Sequence, residues 1–129
     1  MLPEDGAVDL LGLARAAAER AYAPYSHFRV GAAMLDAEGR AYVGCNIESA
    51  SYGLTVCAER TAIFGAIAAG APRPFTAIAI SCLDGATSPC GACRQVMVEH
   101  FVAEAPVELD GRGSYVLGDL LPLAFRLPD

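Results

Sequence analysis

The sequence predicts an α/β layered domain built on a mixed sheet. Three observations carry that prediction. Short apolar strand segments alternate with helical segments in the second half of the chain, and a turn-flanked pair of apolar runs in the first half reads as a hairpin. The 129 residues, 54% of them hydrophobic, are long enough to enclose one core, so a single domain over 1–129 is expected.

Taken in order, Val8–Ala21 places Leu10, Leu13, Ala14, Ala17 and Ala21 at helical spacing with Asp9 near the start. Pro24 stops this helix, and Ala23-Pro24-Tyr25-Ser26 reads as a loop. Phe28–Leu35 and Arg40–Cys45 flank Asp36-Ala37-Glu38-Gly39, a hairpin signal. Cys57–Ala69 reads as a helix with Gly70 as its C-cap residue. Phe75–Cys82 is an Ile-rich strand and Gly91–Phe101 a third helix. Val107–Leu109 and Tyr115–Leu117 are expected strands, and Asp119–Leu121 a terminal turn. The Cys57–Ala69 helix has almost no polar face beyond Glu59 and Arg60, so it must be covered on all sides. Its small residues suit either a subunit contact or the centre of one domain.

Composition excludes several classes. Nine basic and fifteen acidic residues give a net charge of −6, lysine is absent and the arginines are scattered. A nucleic-acid polymer needs a cationic footprint, so none is expected as a partner. The acidic N-terminus lacks the order of a signal peptide. The longest uncharged apolar run, Thr61–Pro72, falls short of the ~20 residues that span a bilayer, so no membrane partner is expected. Such an apolar small chain is expected to meet other copies of itself; the alternative is a tightly buried core without oligomerisation. The five cysteines are an odd number, and three stand at metal-ligand rather than disulfide spacing, which fits a reducing cytoplasm.

Those three carry the chemistry. Cys57-Ala58-Glu59-Arg60 and Pro89-Cys90-Gly91-Ala92-Cys93-Arg94-Gln95 together read C-x-E…P-C-x-x-C. Three thiolates leave the fourth corner of a tetrahedral zinc open, as in a catalytic rather than a structural site. Both cysteine groups stand where a helix begins, and unpaired N–H groups and the helix dipole favour thiolate there. Cys90 and Cys93 share one helix face. Cys57 must lie at or just before the first turn if Glu59 is to lean over the metal. Glu59 then moves protons, and the signature is that of zinc nucleobase deaminases. Three thiolates on Zn²⁺ leave a formal charge of −1, which weakens its acidity. Arg60 is expected to offset this by hydrogen-bonding a ligand sulfur, with Arg94 a second candidate. Cys45 and Cys82 read as small core residues, although either could close a Cys₄ cage.

The chain closely resembles the small, homotetrameric class of cytidine deaminases. The likeness runs through Ala21-Tyr22-Ala23-Pro24-Tyr25-Ser26-His27-Phe28, Val30-Gly31-Ala32-Ala33 and Gly44-Cys45-Asn46-Ile47-Glu48. It continues in Ala50-Ser51-Tyr52-Gly53-Leu54-Thr55, the two cysteine motifs, Leu120-Leu121-Pro122 and Phe125. The resemblance implies a three-layer α/β/α domain whose mixed five-stranded sheet is flanked by helices. It also implies one Zn²⁺ per chain on Cys57, Cys90 and Cys93, activating water for attack at C4 of cytosine. Glu59 would shuttle protons from the water to N3 and the departing amine. Asn46 and Glu48 would hold sugar hydroxyls, Phe28 would pack on the pyrimidine, and Ala58 would also contact substrate. Phe125, Ala50 and Tyr52 would reach a neighbouring subunit's pocket in a homotetramer. Read without the family, Phe28 and Phe125 are plain core aromatics, Asn46-Ile47-Glu48 a solvated strand end, and Tyr25 and Ser26 turn residues. His27 reads as an exposed loop residue, and His100 as a residue suited to a helix C-terminus. The rivals are a deaminase of another heterocycle, such as the blasticidin S deaminases, and a non-catalytic zinc module.

Overall fold

The computed structural model describes residues 8–128. The Asp9 carboxylate accepts from the Gly12 amide at 3.0 Å, pairing an N–H that the helix itself leaves free, and α1 (Leu10–Ala18) follows. The helix ends at Ala18 rather than Ala21. The chain is drawn off into a bridge between Tyr22 and Ile47, where the Tyr22 amide donates to Asn46 O at 3.0 Å.

β1 (Val30–Leu35) and β2 (Ala41–Cys45) form the expected hairpin, with Gly39 in the left-handed region at φ 84°. Asp36 is wholly buried at the turn, where it accepts from the amides of Glu38 and Arg40 at 2.8 and 3.0 Å and from Tyr42 Oη at 3.0 Å. Burial alone would raise its carboxyl, but these bonds outweigh it and hold the group below the usual carboxylate range.

The sheet is mixed and five-stranded, in the order β2-β1-β3-β4-β5. β3 (Ala77–Cys82) runs antiparallel to β1 and parallel to β4 (Pro106–Leu109), and β5 (Gly113–Val116) closes the edge antiparallel to β4. α2 (Ala58–Ala68), α3 (Gly91–His100), the short α4 (Leu117–Leu120) and a 3₁₀ turn at Tyr52–Leu54 complete the order. Ala14 of α1 packs with Ala33 and Ala79 on one face of the sheet. The other face joins Ala32, Met34, Ile78, Ile80 and Val107 to Ile63, Ala66, Met97, Phe75 and Leu117 beneath α2 and α3. Each large apolar side chain buried here contributes about 1.5–3 kcal/mol.

Two glycines set the layer spacing. A Cβ on Gly31 would lie 2.0 Å from Ala14 O, and one on Gly44 would lie 2.4 Å from Ala62 N. Each strand therefore lets a helix backbone approach where any side chain would hold it off.

Three expectations shift. Phe75 lies outside β3, in a bridge with Phe101. β5 begins and ends earlier than Tyr115–Leu117, because the Leu117 amide turns to Ala105 O at 3.0 Å and buried Leu117 opens α4 in place of a turn at Asp119–Leu121. His100 does end α3, but its Nδ1 faces Arg73 Nη1 at 3.0 Å, and burial together with that guanidinium lowers its pKa. It is thus an acceptor there rather than a cation answering the dipole. Among the described residues, no helix is long and apolar enough to cross a membrane.

β1 is antiparallel to both neighbours, so the chain enters β1 at the end where β2 and β3 finish. The loops 19–29, 46–57 and 83–90 therefore meet at one end of the sheet, where α2 and α3 begin.

Candidate functional site

Cys57 is the N-cap residue of α2 and Cys90 that of α3, and Cys93 lies in the first turn of α3. Cys90 Sγ also accepts from the Cys93 amide at 3.4 Å. All three sulfurs lie within 4.8 Å of one another, and among the described residues this is the group able to hold a metal ion. Zinc–sulfur bonds of ~2.3 Å at tetrahedral angles require sulfurs about 3.8 Å apart, so these thiols need close by no more than about 1 Å. The donor set fits zinc: three soft ligands and an open corner. Cys45 and Cys82 stand apart from the cluster and, contrary to expectation, are only half-buried, each at the end of its strand.

Electrostatics at the cluster follow from its packing. A hydrogen bond from Cys93 lowers the Cys57 thiol against the opposing effect of burial, with Arg60 assisting; the same bond pushes Cys93 up. Arg60 Nη2 lies 3.5 Å from Cys57 Sγ, while its Nε is buried without a partner. Glu59, in the first turn of α2, is buried at 4% exposure, and that desolvation raises its carboxyl to about 7.

Arg94 is directed elsewhere than to sulfur. Its Nε donates to Pro89 O at 2.7 Å and its Nη1 to Leu120 O at 3.0 Å, which ties the Cys90 loop to the end of α4.

At the same end of the sheet, the buried Asn46 donates through Nδ2 to Phe28 O at 2.8 Å and accepts through Oδ1 from the Val30 amide at 2.9 Å. Glu48 Oε1 accepts from the Tyr25 and Ser26 amides at 2.9 and 3.1 Å, and Oε2 from Ser26 Oγ. The Ser26 hydroxyl is the first cause holding the Glu48 carboxyl below its usual range. Asn46-Ile47-Glu48 is thus no free strand end. Phe28 and Phe125 are 55% and 68% exposed, so neither is a core aromatic. Tyr52 and Ala50 are exposed as well, and Gln95 Nε2 holds Phe125 O at 2.9 Å. Ala58, the first residue of α2, is wholly buried in the core. Sequence reasoning left Ser26 as a turn residue, and its link to Glu48 spans 22 positions, with no local signal beyond a serine two residues before Phe28.

A three-thiol zinc site at the start of two helices, beside a buried carboxylate on a mixed five-stranded sheet, defines a zinc-dependent hydrolase. Residues 7–108 match the family described as the cytidine and deoxycytidylate deaminase zinc-binding region. The cytidine deaminase of Mycobacterium tuberculosis (strain CDC 1551 / Oshkosh) is 47% identical over 123 residues, covering 93% of this chain and 90% of that protein. That of Sporosarcina psychrophila is 45% identical over 125 residues, covering 93% and 91%. The crystal structure of cytidine deaminase from Mycobacterium tuberculosis superposes with a TM-score of 0.84 at 44% identity, covering 93% of this chain and 99% of that one. The 1.6 Å crystal structure of cytidine deaminase from Burkholderia pseudomallei gives 0.82 at 51% identity, covering 90% and 96%. The chain belongs to the cytidine deaminase family.

Proposed function

We propose that this chain hydrolyses cytidine and deoxycytidine to uridine and deoxyuridine with release of ammonia, within a single domain. The reading is carried by three thiols and a buried carboxylate at the end of the sheet where the loop that carries Asn46 and Glu48 also lies. Cys57, Cys90 and Cys93 would hold zinc, which when bound would acidify a water toward neutrality. Glu59 takes the water's proton, delivers it to ring N3 and later carries a proton to the departing amine. The oxygen stays on C4 and nitrogen leaves as ammonia. Arg60, 3.5 Å from the Cys57 sulfur, offsets the surplus negative charge of three thiolates.

Asn46 commits Oδ1 and one amide hydrogen to the main chain, which leaves one hydrogen free; Glu48 keeps acceptor capacity on Oε2. One donor and one acceptor match a single sugar hydroxyl. Such a set reads the 3′ position and is indifferent to the 2′ one. The exposed ring of Phe28 packs on the pyrimidine. Exposed Tyr52, Phe125 and Phe64 support a homotetramer in which Ala50, Tyr52 and Phe125 line a neighbour's pocket. Five free cysteines suit a reducing cytoplasm, where the reaction serves pyrimidine salvage.

The test is ultraviolet absorbance of the purified protein with cytidine, deoxycytidine and free cytosine, beside a zinc assay. Turnover of both nucleosides with ammonia release, and none of cytosine, is expected. One zinc per chain without turnover of any of the three would refute the assignment.

A further inference from the structure

The Ser26 hydroxyl joins two residues to which the proposed function gives substrate contacts. It donates to Glu48 Oε2 and accepts from the Phe28 amide at 3.0 Å. The Phe28 carbonyl is in turn held by Asn46 Nδ2 at 2.8 Å. Both main-chain groups of Phe28 are therefore tied, one through Ser26 to Glu48 and one directly to Asn46. The intervening turn is not a relaxed one. His27 has φ 61°, a region that non-glycine residues enter only when their surroundings hold them there, and its amide closes on Ala23 O at 3.1 Å. Ser26 and Phe28 are exposed and Glu48 is half-buried, so the hydroxyl adds little to the core. What it fixes is orientation: which way Oε2 points, and where the Phe28 ring stands relative to it.

We propose that Ser26 is a positioning residue that couples the hydroxyl-reading carboxylate of Glu48 to the ring contact of Phe28, and so sets selectivity for a nucleoside that carries its 3′-hydroxyl. The inference rests on the nucleoside reading above. Without the hydroxyl, Glu48 keeps its two amide donors on Oε1 but loses the one on Oε2, and the Phe28 amide loses its acceptor. The loss belongs to substrate binding, because neither the thiols nor Glu59 is touched by Ser26.

The test compares the zinc-loaded wild type with Ser26→Ala and Ser26→Thr on cytidine and on 2′,3′-dideoxycytidine. Losing one charge-assisted bond corresponds to about a 10-fold fall in kcat/KM for cytidine. That fall should come mainly from KM and be at most about 3-fold for the dideoxy substrate, so the preference for the sugar hydroxyl shrinks. Ser26→Thr restores the preference, and zinc content and the urea midpoint stay unchanged in both variants. An undiminished cytidine-to-dideoxycytidine ratio in Ser26→Ala, or equal losses on both substrates through kcat, would overturn the proposal. A wild type that binds zinc but turns over no cytidine would overturn the nucleoside reading and this inference with it.

Discussion

Replacing Gly44 with alanine puts a methyl group between β2 and α2, where the new Cβ would lie 2.4 Å from Ala62 N, 2.8 Å from Ala58 O and 2.9 Å from Ala62 Cα. All three are backbone atoms, so no flexible side chain can yield. Ordinary contact begins at 3.4 Å, so α2 must retreat by about 3.4 − 2.4 = 1.0 Å. Overpacking of this kind costs typically 1–3 kcal/mol, and a rigid backbone contact belongs at the upper end. With a urea slope of ~2 kcal/mol per molar, a loss of ~3 kcal/mol moves the midpoint down by about 1.5 M. The displaced start of α2 carries Glu59 and the N-cap Cys57, while Cys90 and Cys93 stay at the start of α3. Zinc retention should fall together with stability. Urea unfolding at fixed protein concentration, with zinc measured after dialysis, reads both quantities. A Gly44→Ala protein with a midpoint within 0.2 M of wild type and full zinc would refute the close-approach argument.

Two further outcomes concern the rest of the fold. Ser81, buried on β3, donates to Asp110 Oδ2 at 2.8 Å, and Arg15 and Ser81 together lower the Asp110 carboxyl to about 2. Ser81→Ala should cost about 1–2 kcal/mol at pH 7. Because the folded-state pKa is depressed, this stability is present above the unfolded carboxyl's pKa of ~4 and is lost as pH falls through about 2; a urea difference that persists undiminished at pH 2 would contradict it. Phe64, 47% exposed on α2, should lie in a contact between chains, so Phe64→Glu should convert the assembly to smaller species in sedimentation without unfolding the single chain.

Much of this was legible in the sequence because the signals were local. The Asp36–Gly39 turn, the Ile-rich β3 and both cysteine motifs announce themselves within a few residues. The end of α1 was not legible, because Tyr22 leaves the helix to pair with Ile47, a partner far along the chain. β5 is exposed throughout and carries no alternating pattern, so its bounds depend on the bond from Leu117 to Ala105. The close approach of α2 to β2 was not legible either, because it depends on Gly44 facing the Ala58 and Ala62 backbone across the layers. Phe28 and Phe125 are hydrophobic by type but exposed by placement, which their neighbours in sequence do not reveal. Ser26 sits in a plain turn signal, and its meaning comes entirely from Glu48 across the loop.

In the proposed function Glu59 carries protons at a zinc site built from Cys57, Cys90 and Cys93. Its most direct test is zinc content and cytidine turnover of Glu59→Gln, an isosteric change at a buried position in the first turn of α2. The variant should keep one zinc per chain and an unchanged urea midpoint while losing turnover by at least ~100-fold. Turnover within a few-fold of wild type at full zinc occupancy would contradict it.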